Sequence, residues 1–200
     1  MLIHDTPCVD EGKMEYEETV TSLLLHLSPQ IHKGSSVYEL GCGVGAALVV
    51  ARTAMRAGPV GGTDFSPNAI KHIKTVFPEE ADNFTVGDIT AQNSKVADAS
   101  YDHVISIGSA GMYLDLAGMK RALQEAVRIL KPGGSLLISH LLEPGAEPRR
   151  SIVCPVPKGA WLDRKWQHRL GVTNMRIARI PGANQGDRYY ISMTKRERRS

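Results

Sequence analysis

The chain has 200 residues and a formal net charge of +3, with 42% hydrophobic and 22% charged residues. That length fits one domain, large enough for a full sheet with helices on both faces, and the composition is that of an ordinary globular protein. So small a net charge is weak support for an anionic partner, and without an uninterrupted apolar run of ~18 residues no membrane-spanning helix is expected.

Three cysteines, Cys8, Cys42 and Cys154, show neither metal-ligand spacing nor an obvious pairing. They fit a reducing, cytoplasmic setting, and no metal site is expected. The first residues, Met1 to Pro7, lack the charged and apolar regions of a signal peptide. Residues 1–13 read as a loose arm. From Met14 to Leu27, Val20, Leu23, Leu24 and Leu27 recur at helical spacing, and Pro29 ends the segment. Tyr16 falls in the first turns of that helix, where a surface aromatic is the plain reading.

Val37 to Leu40 is a short apolar run with one acid, Glu39, and reads as a buried strand. Three glycines follow at alternate positions, Gly41, Gly43 and Gly45, and then an Ala/Val/Leu helix. Strand, glycine turn and helix form the nucleotide site of doubly wound α/β sheets, because glycine lets the backbone turn tightly and approach a ligand closely. Gly41, Gly43 and Ala46 also satisfy the dinucleotide fingerprint, with Asp64 near the distance of a ribose-binding acid. Glu39 points the other way: an acid beside the turn is awkward next to a pyrophosphate and suits a cationic ligand.

A second strand ends at Asp64, and Ser66-Pro67 starts a helix with serine as N-cap and proline at the first position. The helix runs from Ala69 to Phe77. A third strand, from Phe84, ends in Gly87-Asp88-Ile89, which taken alone is also a common turn. Val104 to Ile107 suits a central buried strand, and the small residues Gly108 to Gly111 leave room for a ligand at its carboxyl end. His103, near the start of that strand, is read as structural. From Leu116 to Leu130 the apolar spacing gives an amphipathic helix, stopped by Lys131-Pro132-Gly133-Gly134 before a strand from Ser135 to His140. After a proline-rich connection over residues 141–157, Lys158 to Leu170 forms a helix. Asn174 to Ile180 and Arg188 to Thr194 make a terminal hairpin, and 195–200 form a basic, solvated tail.

The run Glu39-Leu-Gly-Cys-Gly-Val-Gly45, followed in order by Asp64-Phe65, Gly87-Asp88-Ile89 and Leu130-Lys-Pro-Gly-Gly134, resembles the class I, Rossmann-like S-adenosylmethionine-dependent methyltransferases. The resemblance spans roughly residues 14–194 as a single domain. It implies a seven-stranded, mostly parallel sheet of order 3-2-1-4-5-7-6 with an antiparallel last strand and helices on both faces. It also implies methyl transfer from S-adenosyl-L-methionine, leaving S-adenosyl-L-homocysteine. The cofactor residues it carries over are Glu39, Gly41, Cys42, Gly43, Gly45, Asp64, Phe65, Asp88, Ile89, Ile107 and Gly108. Asp64 would hold the ribose, Phe65 pack near the adenine, and Asp88 accept the exocyclic amine while Ile89 packs on the ring.

Ile107-Gly108-Ser109-Ala110 is not the Asn/Asp-Pro-Pro-Tyr of amide- and base-nitrogen enzymes. The paired glutamates of arginine methyltransferases are missing from that region, as is an acidic trio for a magnesium-dependent catechol enzyme. By elimination a small-molecule acceptor is expected, with a protein side chain second and nucleic acid, recruited by the basic tail, third. Tyr16, Tyr113 and His140 are candidate general bases by position. A non-catalytic S-adenosylmethionine-binding subunit stays open beside the enzyme. The acceptor opening is expected between the helix bearing Tyr16, the loop from Ser109 to Tyr113, and residues 141–160.

Overall fold

The computed structural model describes residues 31–142, 164–180 and 188–197. The arm, the predicted helix bearing Tyr16, most of the 141–160 connection and the first part of the predicted Lys158–Leu170 helix lie outside those residues. The elements are β1 (Val37–Leu40), α1 (Ala46–Ala54), β2 (Val60–Asp64), α2 (Pro67–Val76), a 3-10 turn (Pro78–Asn83), β3 (Phe84–Val86), β4 (Tyr101–Ser106), α3 (Ala110–Tyr113), α4 (Leu116–Ile129), β5 (Leu130–Leu142), α5 (Arg164–Leu170), β6 (Val172–Ile180) and β7 (Arg188–Lys195). The strands form one sheet of order β3-β2-β1-β4-β5-β7-β6, as expected. β1 lies parallel between β2 and β4, and β7 runs antiparallel between β5 and β6.

Strand periodicity divides the core into two layers. Tyr38, Leu40, Val104, Leu136, Ile138 and Met193 face one side and pack against Met119, Leu123, Ala126 and Val127 of α4. Val37, Ile105 and Leu137 face the other and meet Leu48 and Ala51 of α1 and Ile70 and Ile73 of α2. Burying a side chain such as Leu48 or Leu123, both fully covered, contributes ~1.5–3 kcal/mol each. Two caps fix where helices begin. Ser66 Oγ accepts the Ala69 N–H at 3.2 Å, and Asp115 Oδ1 accepts the Gly118 N–H at 2.7 Å.

β5 starts earlier than expected, at Leu130 rather than Ser135. Leu130 pairs with Tyr101 and Ser135 with His103, so the Lys131–Gly134 segment bulges out of one continuous strand. Gly133, at φ +79°, takes the left-handed turn within that bulge.

The β3–β4 crossover, residues 87–100, contains no helix. A polar cluster fastens it instead. Asn93 Nδ2 donates to Thr85 Oγ1 at 2.7 Å and Thr63 Oγ1 at 3.0 Å, and Thr63 shares a hydrogen bond with the Tyr38 hydroxyl. The Asn93 N–H donates to Glu125 Oε1 at 2.9 Å, and Glu125 forms a two-pronged pair with Arg128. Arg128 also donates to the carbonyls of Val96 and Asn93 and to Asp98. Glu125 is only 5% exposed; a charge so buried is tolerated because it is fully paired.

At the amino ends of the strands, Asp102 accepts from the Ser36 N–H and hydroxyl and from Lys131. Beside it His103 is buried, its Nδ1 2.7 Å from Ser135 Oγ, which fits the structural reading. Burial pushes the His103 imidazole down to about 4; Asp102 opposes this, while His32 and Lys131 reinforce it. An unfolded histidine titrates near ~6.5. Between those values the unfolded chain binds the extra proton, so stability rises with pH. The contribution is therefore whole above about 6.5 and is lost as pH falls toward about 4. Urea denaturation should show a His103-dependent loss of ~2 kcal/mol between pH 7 and pH 4.5, which His103→Gln removes. Coincident pH profiles for the two proteins would assign the acid sensitivity to other groups.

Candidate functional site

The carboxyl ends of β1 and β4 are stitched together. Ser106 Oγ donates to the Leu40 carbonyl at 2.8 Å and accepts the Ala110 N–H at 3.0 Å. This bends the chain after β4 over the glycine turn. A Cβ on Gly41 would lie 1.8 Å from Ser109 Oγ, so only glycine permits that approach.

The three glycines are not equivalent. All have positive φ, +75° at Gly41, +49° at Gly43 and +90° at Gly45. A Cβ on Gly45 would meet Ile73 of α2 at 2.6 Å, whereas one on Gly43 would find no atom within 4 Å. Gly45 is thus a packing glycine and N-cap of α1, Gly41 serves the contact with the β4 loop, and Gly43 borders open space. Because Gly45 has no side chain, α1 begins without a side-chain cap, leaving first-turn N–H groups for an acceptor from outside the helix.

Glu39 sits beneath this turn, 2% exposed, facing the α1–α2 layer. Its carboxylate accepts the Ile107 backbone N–H, yet burial pushes its pKa well above the ordinary carboxylate range, and the Asp64 charge adds to the rise. Among the described residues its Oε2 has no hydrogen-bond partner. Buried polar atoms are rarely left so. Cys42 is buried against Gly62, its thiol held protonated by burial and by Glu39 and Asp64.

Asp64 closes β2. Its Oδ2 accepts the Gly43 N–H at 2.8 Å and its Oδ1 the Ser66 N–H at 2.9 Å. The carboxylate thereby ties the glycine turn to the β2–α2 loop, and each oxygen keeps a lone pair. Next to it Phe65 is 67% exposed, with Val44 and Val86 also exposed at the carboxyl ends of β1 and β3. Asp88 is exposed in a turn, its Oδ1 accepting the Thr90 N–H at 2.7 Å, while Ile89 packs partly against the α4-side core. Ile107 is buried and Gly108 turns the chain at φ +67°.

The structure thus gathers Glu39, Gly41, Cys42, Gly43, Asp64, Ile107 and Gly108 around the glycine turn. Phe65, Asp88 and Ile89 lie on the neighbouring loops. Tyr113, half exposed, ends the single-turn helix α3 on the same edge of the sheet. Tyr16 lies outside the described residues; the backbone of His140 belongs to β5. Sequence reading passed over Ser106 and Asn93, which hold the surrounding loops. A separate groove of about 440 Å³, lined by Gln124, Arg128, Trp166, Arg169 and Lys195 among others, contains none of these residues. Among the described residues no group of three His, Cys, Asp or Glu could hold a metal. No helix among them is long and apolar enough to cross a membrane.

A glycine turn at the point where strand order reverses, with an acid closing β1 and another closing β2, defines a class I methyltransferase fold. Residues 37–134 match the family model of the methyltransferase domain. The chain thus carries a methyltransferase domain over those residues and has the fold of class I S-adenosylmethionine-dependent methyltransferases. It is similar to a chain of the complex between the Haloferax volcanii Trm112 methyltransferase activator and a methyltransferase. That match has a TM-score of 0.69 at 20% identity and covers 94% of this chain and 95% of that one. Magnesium protoporphyrin IX methyltransferase from Synechocystis, with bound S-adenosylhomocysteine, gives 0.65 at 16% identity over 97% of this chain and 90% of that one. In sequence the chain is 31% identical over 169 residues to the ribosomal protein L11 methyltransferase of Cupriavidus taiwanensis, covering 79% of this chain and 53% of that protein. It spans about half the length of the first curated relatives it matches.

The unequal glycines make a direct test. Gly43→Ala should cost ~1–2 kcal/mol, the left-handed backbone penalty alone. Gly41→Ala should cost more in urea denaturation, and Ser109→Gly in the same chain should recover part of the loss. Equal costs for the two alanines would mean that the Ser109 contact does not shape the turn.

Proposed function

We propose that this chain binds S-adenosylmethionine at the glycine turn and transfers its methyl group to a small-molecule acceptor. The observation that carries the reading is Glu39, a buried carboxylate with an unpartnered oxygen beneath a turn whose central glycine opens onto free space. A site for a pyrophosphate has no use for that acid; an amino group does. The residues fit the cofactor. Glu39 would take its ammonium, the uncapped start of α1 offers donors for its carboxylate, and Asp64 has spare lone pairs for the ribose diol. Phe65 presents an apolar face for the base, and Asp88 an acceptor for its exocyclic amine. When bound, the cofactor supplies an electrophilic methyl on a sulfonium that is already a good leaving group. The chain's part is then positioning and exclusion of water.

Relatives differ in what their names say they act on: a ribosomal protein in one case, phthiotriol and phenolphthiotriol dimycocerosates in Mycobacterium leprae in another. The match to the L11 enzymes covers about half of them, so their acceptor is not carried over. The absence of the Asn/Asp-Pro-Pro-Tyr run after β4 favours the small molecule. We place its approach between Ser109–Tyr113, the segment bearing Tyr16, and residues 141–160, with Tyr16, Tyr113 and His140 as candidates for receiving a proton. A cytoplasmic setting belongs to the same reading. One neighbour of the fold is a [4+2]-cyclase, at TM-score 0.67 and 14% identity, which favours a second reading, cofactor binding without methyl transfer. Screening candidate acceptors for S-adenosylhomocysteine production separates the two.

Calorimetry should show binding of S-adenosylmethionine or S-adenosylhomocysteine and none of NAD; the opposite pattern would overturn the cofactor assignment. Gly43→Val should abolish binding in a folded protein. Asp64→Ala should weaken binding by ~1.5–3 kcal/mol. Because the Glu39 pKa is raised, pairing it with an ammonium ionises it, so affinity should rise with pH through that pKa and binding should release a proton. Glu39→Gln should weaken binding and remove that part of the pH dependence. An unchanged profile in the variant would take Glu39 out of the site.

A further inference from the structure

The turn that carries Asp88 has few holds of its own. Gly87 donates its N–H to the Asp64 carbonyl at 2.9 Å, Thr90 and Ala91 close the turn on Asp88, and the chain then crosses to β4 without a helix. The next fixed point is Asn93. Its Oδ1 accepts the Lys95 N–H at 3.1 Å, which settles the amide orientation, since a backbone N–H must meet oxygen. Nδ2 therefore faces the hydroxyls of Thr85 and Thr63, at 2.7 and 3.0 Å. Its own N–H goes to Glu125 and its carbonyl accepts from Arg128. Apart from Oδ1, which closes a local turn on Lys95, every polar group of this one residue holds a helix-free crossover against β2, β3 and α4.

On the proposed function, Asp88 meets the exocyclic amine of the base, and the role of Asn93 rests on that. We propose that Asn93 is a positioning residue for base recognition, fixing the 87–93 turn and thereby holding Asp88 where it discriminates an amino-purine from an oxo-purine. Asp88 is exposed, and an exposed acid on a free turn would accept from water as readily as from a ligand. Discrimination needs the carboxylate held in one place, and the Asn93 bonds supply that constraint from five residues away. Thr63 also adjoins Asp64, so the same cluster spaces the ribose and base positions.

The probes are S-adenosylhomocysteine and S-inosylhomocysteine, which replaces the amine donor with a carbonyl acceptor facing the carboxylate. Wild-type protein should prefer the adenosyl ligand by about tenfold or more in calorimetry, the scale of one hydrogen bond to a charged group. Asn93→Ala, checked for cooperative unfolding, should lose most of that preference by weakening the adenosyl ligand while the inosyl ligand changes little. Thr85→Val removes one acceptor of the Asn93 amide at nearly constant shape. It should show a smaller drop in preference, and it decides the matter alone if Asn93→Ala does not fold. Equal weakening of both ligands, or preference intact in the folded variants, overturns the role of Asn93 and leaves the cofactor reading standing. A wild type that binds the adenosyl ligand without preferring it overturns the Asp88 assignment, and the proposal with it.

Discussion

A carboxylate buried at the end of the central strand is the constraint around which the candidate site is built. Glu39 lies between β2 and β4, in register with Gly62 and Ile105, at the place where the order of strands reverses. Its side chain has no water to solvate it, and one backbone N–H is small compensation for desolvating an acid. Such a group is kept in a core only where something else meets it. The fold leaves a turn open directly above it, and the β4 loop is held in place by Ser106 so that the opening keeps its shape. Site and core are therefore one construction.

The sheet's other polar investment lies on the opposite face. Tyr38, Thr63 and Thr85 come from three adjacent strands, and alternation puts their hydroxyls in one row under the β3–β4 crossover. In doubly wound folds a helix commonly covers that place with apolar side chains. Here Asn93, Glu125 and Arg128 cover it with hydrogen bonds. Such a network specifies geometry more sharply than it stabilises, because each member must find its partners or remain unsatisfied at a cost of ~1–3 kcal/mol. A crossover adjoining a ligand site gains from that sharpness.

Sequence made the frame legible where a local rule carries the information. The glycine turn, the Ser66-Pro67 helix start and the amphipathic run from Leu116 are each decided by residues within a few positions of one another. The strand order came from the family resemblance that the motifs in series carry. What stayed hidden depends on residues far apart. Asn93 sits in Gln-Asn-Ser-Lys, which reads as plain linker, and only sheet register brings Thr63 and Thr85 beneath it. The extension of β5 through Lys131–Gly134 was hidden because Pro-Gly-Gly is a stop signal locally, while pairing of Leu130 with Tyr101 overrides it. Helix α3 is a single turn, too short for any periodicity to show. The placement of Glu39 was readable from its position before the glycines, but its depth of burial was not.

The two ends of the sheet hold their polar groups differently, and the difference bears on function. At the amino ends Asp102 is bonded to Ser36 and Lys131, and His103 to Ser135. At the carboxyl ends polar capacity is left over: an oxygen of Glu39, lone pairs on Asp64, an uncapped helix start, and an aromatic ring facing outward. Unused capacity on one edge is what a binding site looks like before its ligand arrives, since groups that must meet a ligand cannot be fully satisfied by the fold. Displacement at a sulfonium asks for little more than that edge provides. The leaving group needs no protonation and the electrophile is already activated, so the protein's contribution reduces to holding two reactants in line and keeping water out. On the proposed reading, the backbone turns, the two acids and the ring on this edge would serve chemistry of that kind.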